Sequence, residues 1–491
     1  MIKKVTLLPD RRVLETTTTE NLLELLRENG AAPAAPCGGQ GTCGKCRVLL
    51  DGAEVLACQT TVDADCTVEV RKEQRASILT DGIGSSVALD PVRSGNLLAI
   101  DIGTTTVVAF LLDGETGEEL ASASMLNPQA PYGADVISRL QNALSGSLKA
   151  QQTLIAEGLV SLTETVCRAS GTDPGAIGVV AVVGNPAMQQ LFLGISPENL
   201  VAVPFAPVLT EPSERPAKEY LPICENAVLL IVPDIAGYVG ADTVGCILST
   251  ELYRRAGNLL MVDIGTNGEM VLSANGRMAA CSTAAGPALE GAKIRFGMRG
   301  SEGAIDHVWM EEGRLCYHVI GDGEANGICG SGLIDAVAVF LENGQINKRG
   351  RIRSEEERDG ERFLPVSDEV WLTQTDIREV MLAKGAIAAG IELLAGHLGI
   401  SVSDIDAVLL AGAFGSFMDP HNACRIGLLP AELDGKIETV GNAAGSGARR
   451  IACSREEFVR TGQLIREIEF VELADVPQFM HTFATRMNFE E

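Results

Sequence analysis

The chain has 491 residues, 46% of them hydrophobic, and is expected to form about two to four domains with substantial cores. Its 65 acidic residues outnumber its 39 basic residues, which gives a formal net charge of −26. Because this charge repels phosphate backbones and anionic lipid, and no Lys/Arg-rich block offsets it, neither nucleic acid nor a membrane is an expected partner. The sequence shows no signal-peptide cleavage site and no continuous apolar run of about 18 residues, so a cytoplasmic protein is expected.

The first 72 residues are predicted to form a small domain of strands and one helix. Residues 3–9 and 11–16 alternate like the strands of a hairpin, and residues 20–30 have the apolar spacing of a helix ending at Gly30. Residues 46–58 indicate a second hairpin, which turns at Asp51-Gly52. This order of strands and one helix resembles the β-grasp fold of 2Fe-2S ferredoxins.

Four cysteines of this domain are spaced as iron ligands. Cys37, Cys43, Cys46 and Cys58 follow the pattern C-x5-C-x2-C-x11-C, and glycines separate the first three. Thiolates hold the iron, and glycines permit the positive φ angles with which a loop can wrap closely around the inorganic sulfides. The stretch therefore predicts a 2Fe-2S cluster, which carries one electron at a time.

Two alternatives to the iron cluster are a zinc site and purely structural thiols. Zinc sites usually pair two short C-x2-4-C units, whereas this stretch has one short pair and two outlying cysteines. Cys66 competes with Cys58 as the fourth ligand. Cys58 is preferred because it ends a predicted strand and resembles the ferredoxin pattern, and Cys66 is expected to be a packed thiol.

Residues 73–95 are predicted to be a linker, because they show no sustained periodicity. A flexible linker of this length has a root-mean-square reach of roughly 25 to 30 Å, which would let the electron carrier swing between positions. An ordinary interdomain linker packed against one neighbour is the alternative.

A nearly identical nine-residue stretch occurs twice after the linker. "NLLAIDIGT" begins at Asn96 and "NLLMVDIGT" begins at Asn258, and each copy is predicted to open a three-stranded meander. Asp101 and Asp263 are expected to position Mg²⁺ and water, while the turn residues offer backbone N–H and hydroxyl groups to phosphates. These turn residues are Gly103, Thr104, Thr105, Gly265 and Thr266.

A third element lies further along the chain. A predicted buried strand, residues 407–411, runs into Gly412, Ala413 and Gly415, small residues that would let a nucleoside lie flat on the backbone. The order of the three elements resembles the phosphate-1, phosphate-2 and adenosine motifs of actin, sugar kinases and heat-shock chaperones, the ASKHA superfamily. The resemblance implies two RNase H-like halves that close on ATP and Mg²⁺. A duplicated hairpin fold without a nucleotide site is the alternative.

Three further acidic residues lie near these motifs. Asp234 and Asp242 flank a Gly-rich turn, where they either contribute to the cleft or cap a helix or turn. Glu269 follows the second turn, where related kinases and chaperones usually carry Gly-Gly-Gly-Thr or a similar string. We expect Glu269 to be a solvated turn residue rather than a residue that directs a water molecule.

The combination of a 2Fe-2S domain, a linker and an ASKHA module resembles the ATP-dependent reductive activators of corrinoid proteins over essentially the whole chain. The resemblance implies an enzyme that returns an electron to a Co(II) corrinoid methyl carrier with ATP hydrolysis, a low-potential electron donor and, by analogy, a homodimer. The similar stretches are "VVGNPAMQQLFLG" (182–194), "VPDIAGYVGAD" (232–242), "AAGPALEGAKI" (284–294), "GICGSGLIDAV" (327–337) and "LLAGAFGSFMDP" (409–420).

The predicted fold class is therefore multidomain, α+β and α/β. The segments are a β-grasp 2Fe-2S ferredoxin domain at 1–72, the linker at 73–95, and two RNase H-like domains at 96–250 and 251–491, the second being the C-terminal ASKHA domain.

Three other functions fit parts of the sequence. A small-molecule kinase with a redox sensor would need a catalytic Asp, and no position identifies itself as that base. An activator of radical dehydratases would place a 4Fe-4S cluster between subunits instead of carrying a ferredoxin domain. A non-enzymatic electron carrier whose ATP module only gates binding is the third, and ATP turnover that depends on a corrinoid partner would separate it from the reductive activator.

Overall fold

A computed structural model describes residues 3–8, 11–16, 20–33, 35, 39, 41, 45–70 and 87–489. Two of the four predicted iron ligands, Cys37 and Cys43, lie outside the described residues, as does most of the predicted linker.

The N-terminal domain is a five-stranded sheet with one helix packed on it, as the β-grasp prediction requires. Strand order in the sheet is β2-β1-β7-β4-β5, with the two outer hairpins antiparallel and β1 parallel to β7. A separate pair joins β3 and β6. The elements are β1 (Lys3–Leu8), β2 (Arg12–Thr16), β3 (Glu20–Asn21), α1 (Leu22–Glu28), β4 (Arg47–Leu50), β5 (Ala53–Leu56), β6 (Thr61–Val62) and β7 (Cys66–Glu69).

Local sequence explains this small domain well. The Asn21 side chain caps α1 by accepting a hydrogen bond from the backbone N–H of Leu23. The apolar face of α1 covers the sheet, and Leu22 and Leu26 are fully buried against Val5. The turn at Asp51-Gly52 has positive φ angles of 48° and 84°, as a two-residue hairpin turn of this kind needs.

The middle domain is built on a six-stranded sheet whose order is β10-β9-β8-β11-β13-β12. Its first three strands form the predicted antiparallel meander, and β11 and β13 continue parallel to β8. The elements are β8 (Asn96–Ile102), β9 (Thr106–Leu112), β10 (Glu119–Leu126), α2 (Val136–Asn142), α3 (Leu148–Ser170), β11 (Ile177–Gly184), α4 (Pro186–Leu193), α5 (Glu198–Val201), β12 (Ser213–Pro216), β13 (Val228–Ile231) and α6 (Ala241–Thr250).

The C-terminal domain repeats this arrangement. Its main sheet has the order β24-β23-β14-β15-β16-β25, so a second antiparallel meander is again continued by parallel strands, β23 and β24. The strands are β14 (Leu259–Ile264), β15 (Gly268–Ala274), β16 (Arg277–Thr283), β17 (Ala304–Glu311), β18 (Arg314–Val319), β19 (Gly327–Ile328), β20 (Glu357–Arg358), β21 (Glu361–Pro365), β22 (Trp371–Thr373), β23 (Ala407–Ala411), β24 (Ile437–Gly441) and β25 (Ile468–Phe470). The helices are α7 (Gly330–Glu342), α8 (Gln374–His397), α9 (Gly412–Phe417), α10 (Pro420–Arg425), α11 (Ala443–Cys453), α12 (Arg455–Glu467) and α13 (Phe479–Arg486).

A shared core joins the two duplicated halves. One apolar cluster contains residues of both main sheets together with helices α6 and α11, and α11 also packs on β8 and β11 of the middle domain. Where α6 meets α11, a Cβ at Gly447 would lie 2.2 Å from the carbonyl oxygen of Gly245. The two backbones therefore touch directly, and only glycine permits this approach at position 447.

Helix α8 is a core helix, although by length and composition it could cross a membrane. It has 24 residues, and 67% of its most apolar window is buried by the rest of the chain. Among the described residues this is the one helix with that length and apolar character.

Candidate nucleotide site and iron-sulfur centre

The two repeated turns face each other across a cavity of about 260 Å³ between the halves. Asp101 and Asp263 occupy equivalent positions, each one residue before the end of the first strand of its meander. Both turns are tight, because the N–H of Gly103 donates to Thr106 O (2.9 Å) and the N–H of Gly265 donates to Asn267 O (2.8 Å). The predicted site residues that line this cavity are Asp101, Gly103, Thr104, Thr105, Asp263, Gly265, Thr266 and Gly412.

Three of the five acidic residues that line this cavity are aspartates. Burial raises the pKa of Asp101 to about 7, with further increases from Asp242 and Asp263, and a hydrogen bond from Asn442 opposes the change. Burial raises the pKa of Asp242 to about 6. Burial, followed by repulsion from Asp242, raises the pKa of Asp263 to about 7. The cavity therefore disfavours three simultaneous negative charges unless a cation joins them.

Glu269 is a fourth acid in the cavity, and the expectation of a solvated turn residue is wrong. Glu269 is the second residue of β15 and lines the cavity. Burial, with added repulsion from Asp242 and Asp263, raises its pKa well above the ordinary range. The turn sequence around Glu269 did not predict this position, because the cavity is formed by two halves of the chain that are far apart in sequence.

These oxygen donors fit Mg²⁺ that is held partly by water and substrate phosphates, since no three acidic, cysteine or histidine side chains of the described residues stand together as a direct metal-binding group. In the part of the chain that the structure describes, no Lys or Arg lines the cavity. Carboxylate, hydroxyl and water oxygens are the ligands that Mg²⁺ takes, usually together with substrate phosphates.

Asp234 and Asp242, for which the sequence allowed either a place in the cleft or a capping role, have different surroundings. Asp242 is in the first turn of α6 and lines the cavity. Asp234 is 2% exposed; its Oδ1 accepts a hydrogen bond from Gln189 Nε2 (3.3 Å), whereas Oδ2 has no partner among the described residues. Burial raises the pKa of Asp234 well above its ordinary value, with a further increase from Asp242.

Two functional candidates, Glu290 and Asn185, lie in stretches that carry the family resemblance, but no sequence signal singled out either residue. The Glu290 carboxylate accepts hydrogen bonds from Thr105 Oγ1 (2.7 Å) and Thr266 Oγ1 (2.5 Å), so it bridges the two turns. Asn185 donates from Nδ2 to Thr104 Oγ1 (3.0 Å) while its Oδ1 caps α4. Asn before Pro signals a helix cap, but no local signal places either residue beside the turns.

A buried arginine side chain supports the first turn through hydrogen bonds. Arg139 is 1% exposed and donates to the carbonyl oxygens of Thr104 (2.6 Å) and Gly133 (2.9 Å). Asn127 adds a hydrogen bond from Nδ2 to Gly103 O (2.8 Å). Burial lowers the pKa of Arg139 to about 9, which leaves the guanidinium protonated at neutral pH. These bonds hold the turn in one conformation.

Of the three small residues predicted to lie under the nucleoside, only Gly412 lines the cavity among the described residues. Gly412 has φ +85°, and a Cβ there would lie 2.5 Å from Asp263 Oδ1, so glycine is required next to that carboxylate. Phe414 also lines the cavity. Gly415 instead lies against β23, because its Cβ would be 2.7 Å from Leu410 Cγ, and Ala413 lies between them in α9.

The described part of the iron-binding loop fits thiolate ligation of a cluster. Cys46 is 1% exposed just before β4, and Cys58 lies in a short 3₁₀ turn just after β5. A hydrogen bond from the N–H of Ala57 to Cys46 O (2.8 Å) brings these two ends of the hairpin together. Gly39 and Gly41 have positive φ angles, as expected for a loop that wraps a cluster.

Cys66 is half-buried, as Cys58 is, and both pack against the apolar core of the domain. Cys66 is the first residue of β7 and pairs with Val5, a core residue of β1. Burial raises the pKa of the Cys66 thiol, with smaller increases from Asp51 and Asp65. Such surroundings favour a packed, protonated thiol.

Two basic side chains dock the N-terminal domain on the rest of the chain. Arg27, 5% exposed, donates from Nε to Pro131 O (2.7 Å), and its guanidinium lies 5.2 Å from the centroid of the Tyr132 ring. Lys45 donates from Nζ to Gly297 O (3.2 Å) in the C-terminal domain. The iron-binding loop is close to this contact, since a Cβ at Gly39 would lie 3.6 Å from Arg27 Nη1.

Family models match the chain in three consecutive regions. A model described as the 2Fe-2S iron-sulfur cluster binding domain matches residues 5–65. The RACo middle region matches residues 97–255, and the C-terminal domain of RACo, the ASKHA domain, matches residues 257–491.

Individual proteins are similar over most of their length. The corrinoid activation enzyme RamQ of Eubacterium limosum is 33% identical, over 92% of this chain and 93% of its own. A [Co(II) methylated amine-specific corrinoid protein] reductase of Methanosarcina barkeri is 27% identical, over 76% of this chain and 72% of its own. The solved structure of a reductive activator for corrinoid, iron-sulfur protein has a TM-score of 0.71 and 28% identity, covering 99% of this chain and 98% of that one. With a ferredoxin domain, a duplicated nucleotide fold and these relatives, the chain belongs to the family of ATP-dependent reductive activators of corrinoid proteins.

Proposed function

We propose that this protein reduces an inactive Co(II) corrinoid protein to Co(I) in an ATP-dependent one-electron step, and so reactivates a corrinoid-dependent methyltransferase system. The electron passes through the 2Fe-2S cluster of the N-terminal domain. One observation carries the proposal: a single chain joins a region that matches the 2Fe-2S cluster binding domain to a carboxylate-lined cavity between two repeated turns.

ATP is needed because the electron transfer is uphill. Co(I) is a strong reductant, and a plant-type cluster near about −400 mV is a weaker one. For a one-electron step, each ~59 mV of unfavourable difference lowers the equilibrium constant about tenfold. Closure of the two halves on nucleotide can assist only if the closed form binds Co(II) corrinoid protein with a different affinity from the open form.

In this proposal the cavity residues divide the work of nucleotide binding. Mg²⁺, when bound, supplies charge neutralisation for the acids and the phosphates. Asp101, Asp242 and Asp263 would hold it, directly or through water. Thr104, whose hydroxyl accepts from Asn185, would donate its hydroxyl proton to a phosphate. Thr266, whose hydroxyl donates to Glu290, would offer its backbone N–H, and the backbone around Gly412 would support the nucleoside.

The proposal also assigns the iron ligands, the electron donor, the oligomeric state and the compartment. Cys37, Cys43, Cys46 and Cys58 would hold the iron. A separate low-potential donor would reload the cluster, and two copies would associate, as the family resemblance implies. We place the protein in the cytoplasm, where its corrinoid partner would be found.

Glu290 is the residue best placed to act on the hydrolytic water. It lies between the two turns and is bonded to a threonine of each, so its carboxylate can accept a proton close to where the terminal phosphate would lie. Glu290→Gln keeps the size and one hydrogen-bonding oxygen but removes the proton acceptor. We expect ATP hydrolysis to fall about 100-fold while ATP binding, measured by calorimetry, persists. A variant that hydrolyses ATP at the wild-type rate would limit Glu290 to a structural bridge.

Docking of the ferredoxin domain can be tested at Arg27. Arg27→Met keeps an apolar stem but removes the hydrogen bond to Pro131 and the contact with Tyr132, which weakens the docking by on the order of 2 kcal/mol. We expect a larger radius of gyration by small-angle X-ray scattering, with an unchanged cluster spectrum. Lys4→Met is the matched control, because Lys4 pairs with exposed Glu15 inside the same domain. Equal radii for both variants would show that Arg27 does not hold the domain.

The proposed function is tested by anaerobic ATP hydrolysis with reduced, cluster-loaded protein, in the presence and absence of a Co(II) corrinoid methyl carrier. We expect the carrier to stimulate hydrolysis, because its binding and the closure of the two halves are linked. ADP formation that is stimulated by a small sugar or another phosphate acceptor and that yields the phosphorylated acceptor, with no stimulation by any corrinoid protein of the same organism, would favour a kinase.

A further inference from the structure

A second cavity, of about 640 Å³, opens on the C-terminal domain and is built from residues that do not line the nucleotide cavity. It lies beside the first turns of α8 and the loop that follows Ile346. We call it the arginine cavity, because its walls carry Arg349, Arg351, Arg362 and Arg378.

The loop of the arginine cavity is held rigidly. Asn347 Oδ1 accepts hydrogen bonds from the N–H groups of Arg349 (2.9 Å) and Arg351 (3.0 Å). Gln374 Nε2 donates to Gly350 O (2.7 Å), and its Oε1 accepts from the N–H of Ile352 (3.0 Å). The backbone thus presents its arginines without having to be ordered by a ligand, which lowers the entropic cost of binding.

The charge of this cavity is opposite to that of the chain. No Asp or Glu is among its lining residues in the described part of the chain, although the formal net charge is −26. Arg349, Arg351 and Arg378 are exposed, and none of the three forms an ion pair within the residues that the structure describes. The net charge of the chain repels an anionic surface, whereas the arginines of this cavity attract one.

The floor of the arginine cavity is apolar. It is formed by Met381, Leu382 and Met487, and Leu382 is 42% exposed. Arginine and methionine are the residues enriched at protein interfaces, where lysine and acids are depleted. Exposed, adaptable guanidinium groups around a thioether floor suit a carboxylate-bearing protein segment better than a small anion, which is usually bound by buried donors.

We propose that the arginine cavity docks an acidic segment of the protein that receives the electron. This inference rests on the proposed function, which makes that protein a Co(II) corrinoid carrier. An activator must bind and release its substrate protein repeatedly, and charge complementarity at one patch speeds and orients such encounters. Arginine–carboxylate pairs at the rim would make the association strongly dependent on ionic strength.

The test compares Arg378→Glu with Arg168→Glu. Both residues are exposed helical arginines, on α8 and α3 respectively, so the change in net charge is the same. For Arg378→Glu we expect the dissociation constant for the Co(II) carrier, measured by calorimetry, to rise about tenfold or more, and its dependence on salt to weaken. Basal ATP hydrolysis and the cluster spectrum should not change. Arg351→Glu should reproduce the effect, and Arg168→Glu should not.

Equal affinities of Arg378→Glu, Arg351→Glu and wild type for the carrier would overturn the inference. Binding of pyrophosphate to the wild-type cavity, lost in Arg378→Glu while carrier affinity stays the same, would overturn it in favour of a small-anion site. Binding to the carrier is measured without electron transfer. Failure of the wild-type protein to form Co(I) would therefore reject the proposed function, while the binding data would still decide whether the arginine cavity docks the carrier.

Discussion

Asp263→Asn should reduce ATP hydrolysis by about 100-fold or more while the 2Fe-2S spectrum stays intact, and Asp101→Asn should do the same. Both carboxylates lie one residue before the end of the first strand of a meander and line the cavity between the halves. Asparagine preserves the shape of each side chain but removes the negative charge that would hold Mg²⁺. The measurement is steady-state hydrolysis with Mg²⁺ in excess.

The sign of the accompanying stability change distinguishes a lost metal site from a damaged fold. In Mg²⁺-free buffer, Asp101 and Asp263 repel each other and Asp242 in a buried space, so either Asn variant should melt at the same temperature as wild type or higher. Asp234→Asn is the matched control, because this buried acid lies outside the cavity lining and should keep ATP turnover. Wild-type hydrolysis in both site variants would reject a nucleotide site between the two halves.

Cys58→Ser should abolish the normal 2Fe-2S absorbance and electron paramagnetic resonance signals, whereas Cys66→Ser should leave them unchanged. Cys58 lies just after the hairpin whose other end carries Cys46, and a backbone hydrogen bond joins the two ends. Cys66 lies in a neighbouring strand with its thiol pKa raised by burial. Loss of a thiolate ligand removes or rebuilds the cluster, so the expected effect is nearly complete.

The two cysteine variants are each other's control, since both replace sulfur with oxygen in the same small domain. ATP hydrolysis without a corrinoid partner should survive in both, because neither residue lines the nucleotide cavity. A normal spectrum in Cys58→Ser together with a lost one in Cys66→Ser would reverse the ligand assignment.

Turn residues and apolar spacing were sufficient to predict the architecture, because each hairpin, helix and meander is encoded within a short stretch of sequence. The hairpin turn at Asp51-Gly52, a helix within residues 20–30 and both meanders follow from turn residues and apolar spacing, and the structure confirms them, with the helix at Leu22–Glu28. The pairing of the two turns around Asp101 and Asp263 was also predictable, because a duplicated strand and turn indicates a duplicated domain.

The remaining site residues depend on contacts between distant segments. Glu290 reaches both turns from a loop, and Arg139 supports the first turn from α2, although no local signal marks either as a site residue. Glu269 was assigned to solvent because its neighbours in sequence form a turn, while its neighbours in space are carboxylates. Gly447 on α11 meets Gly245 across the halves, a contact that no periodicity within one helix encodes.

The most direct test of the central claim is a single turnover. Protein carrying a reduced cluster, freed of excess reductant, is mixed anaerobically with Co(II) carrier protein, with and without Mg²⁺ and ATP, while Co(I) absorbance and the reduced-cluster resonance are followed together. We predict that Co(I) appears as the cluster is oxidised, and only when ATP is present. Equal formation of Co(I) without nucleotide would contradict this account and leave the protein an electron carrier that does not use ATP to drive the transfer.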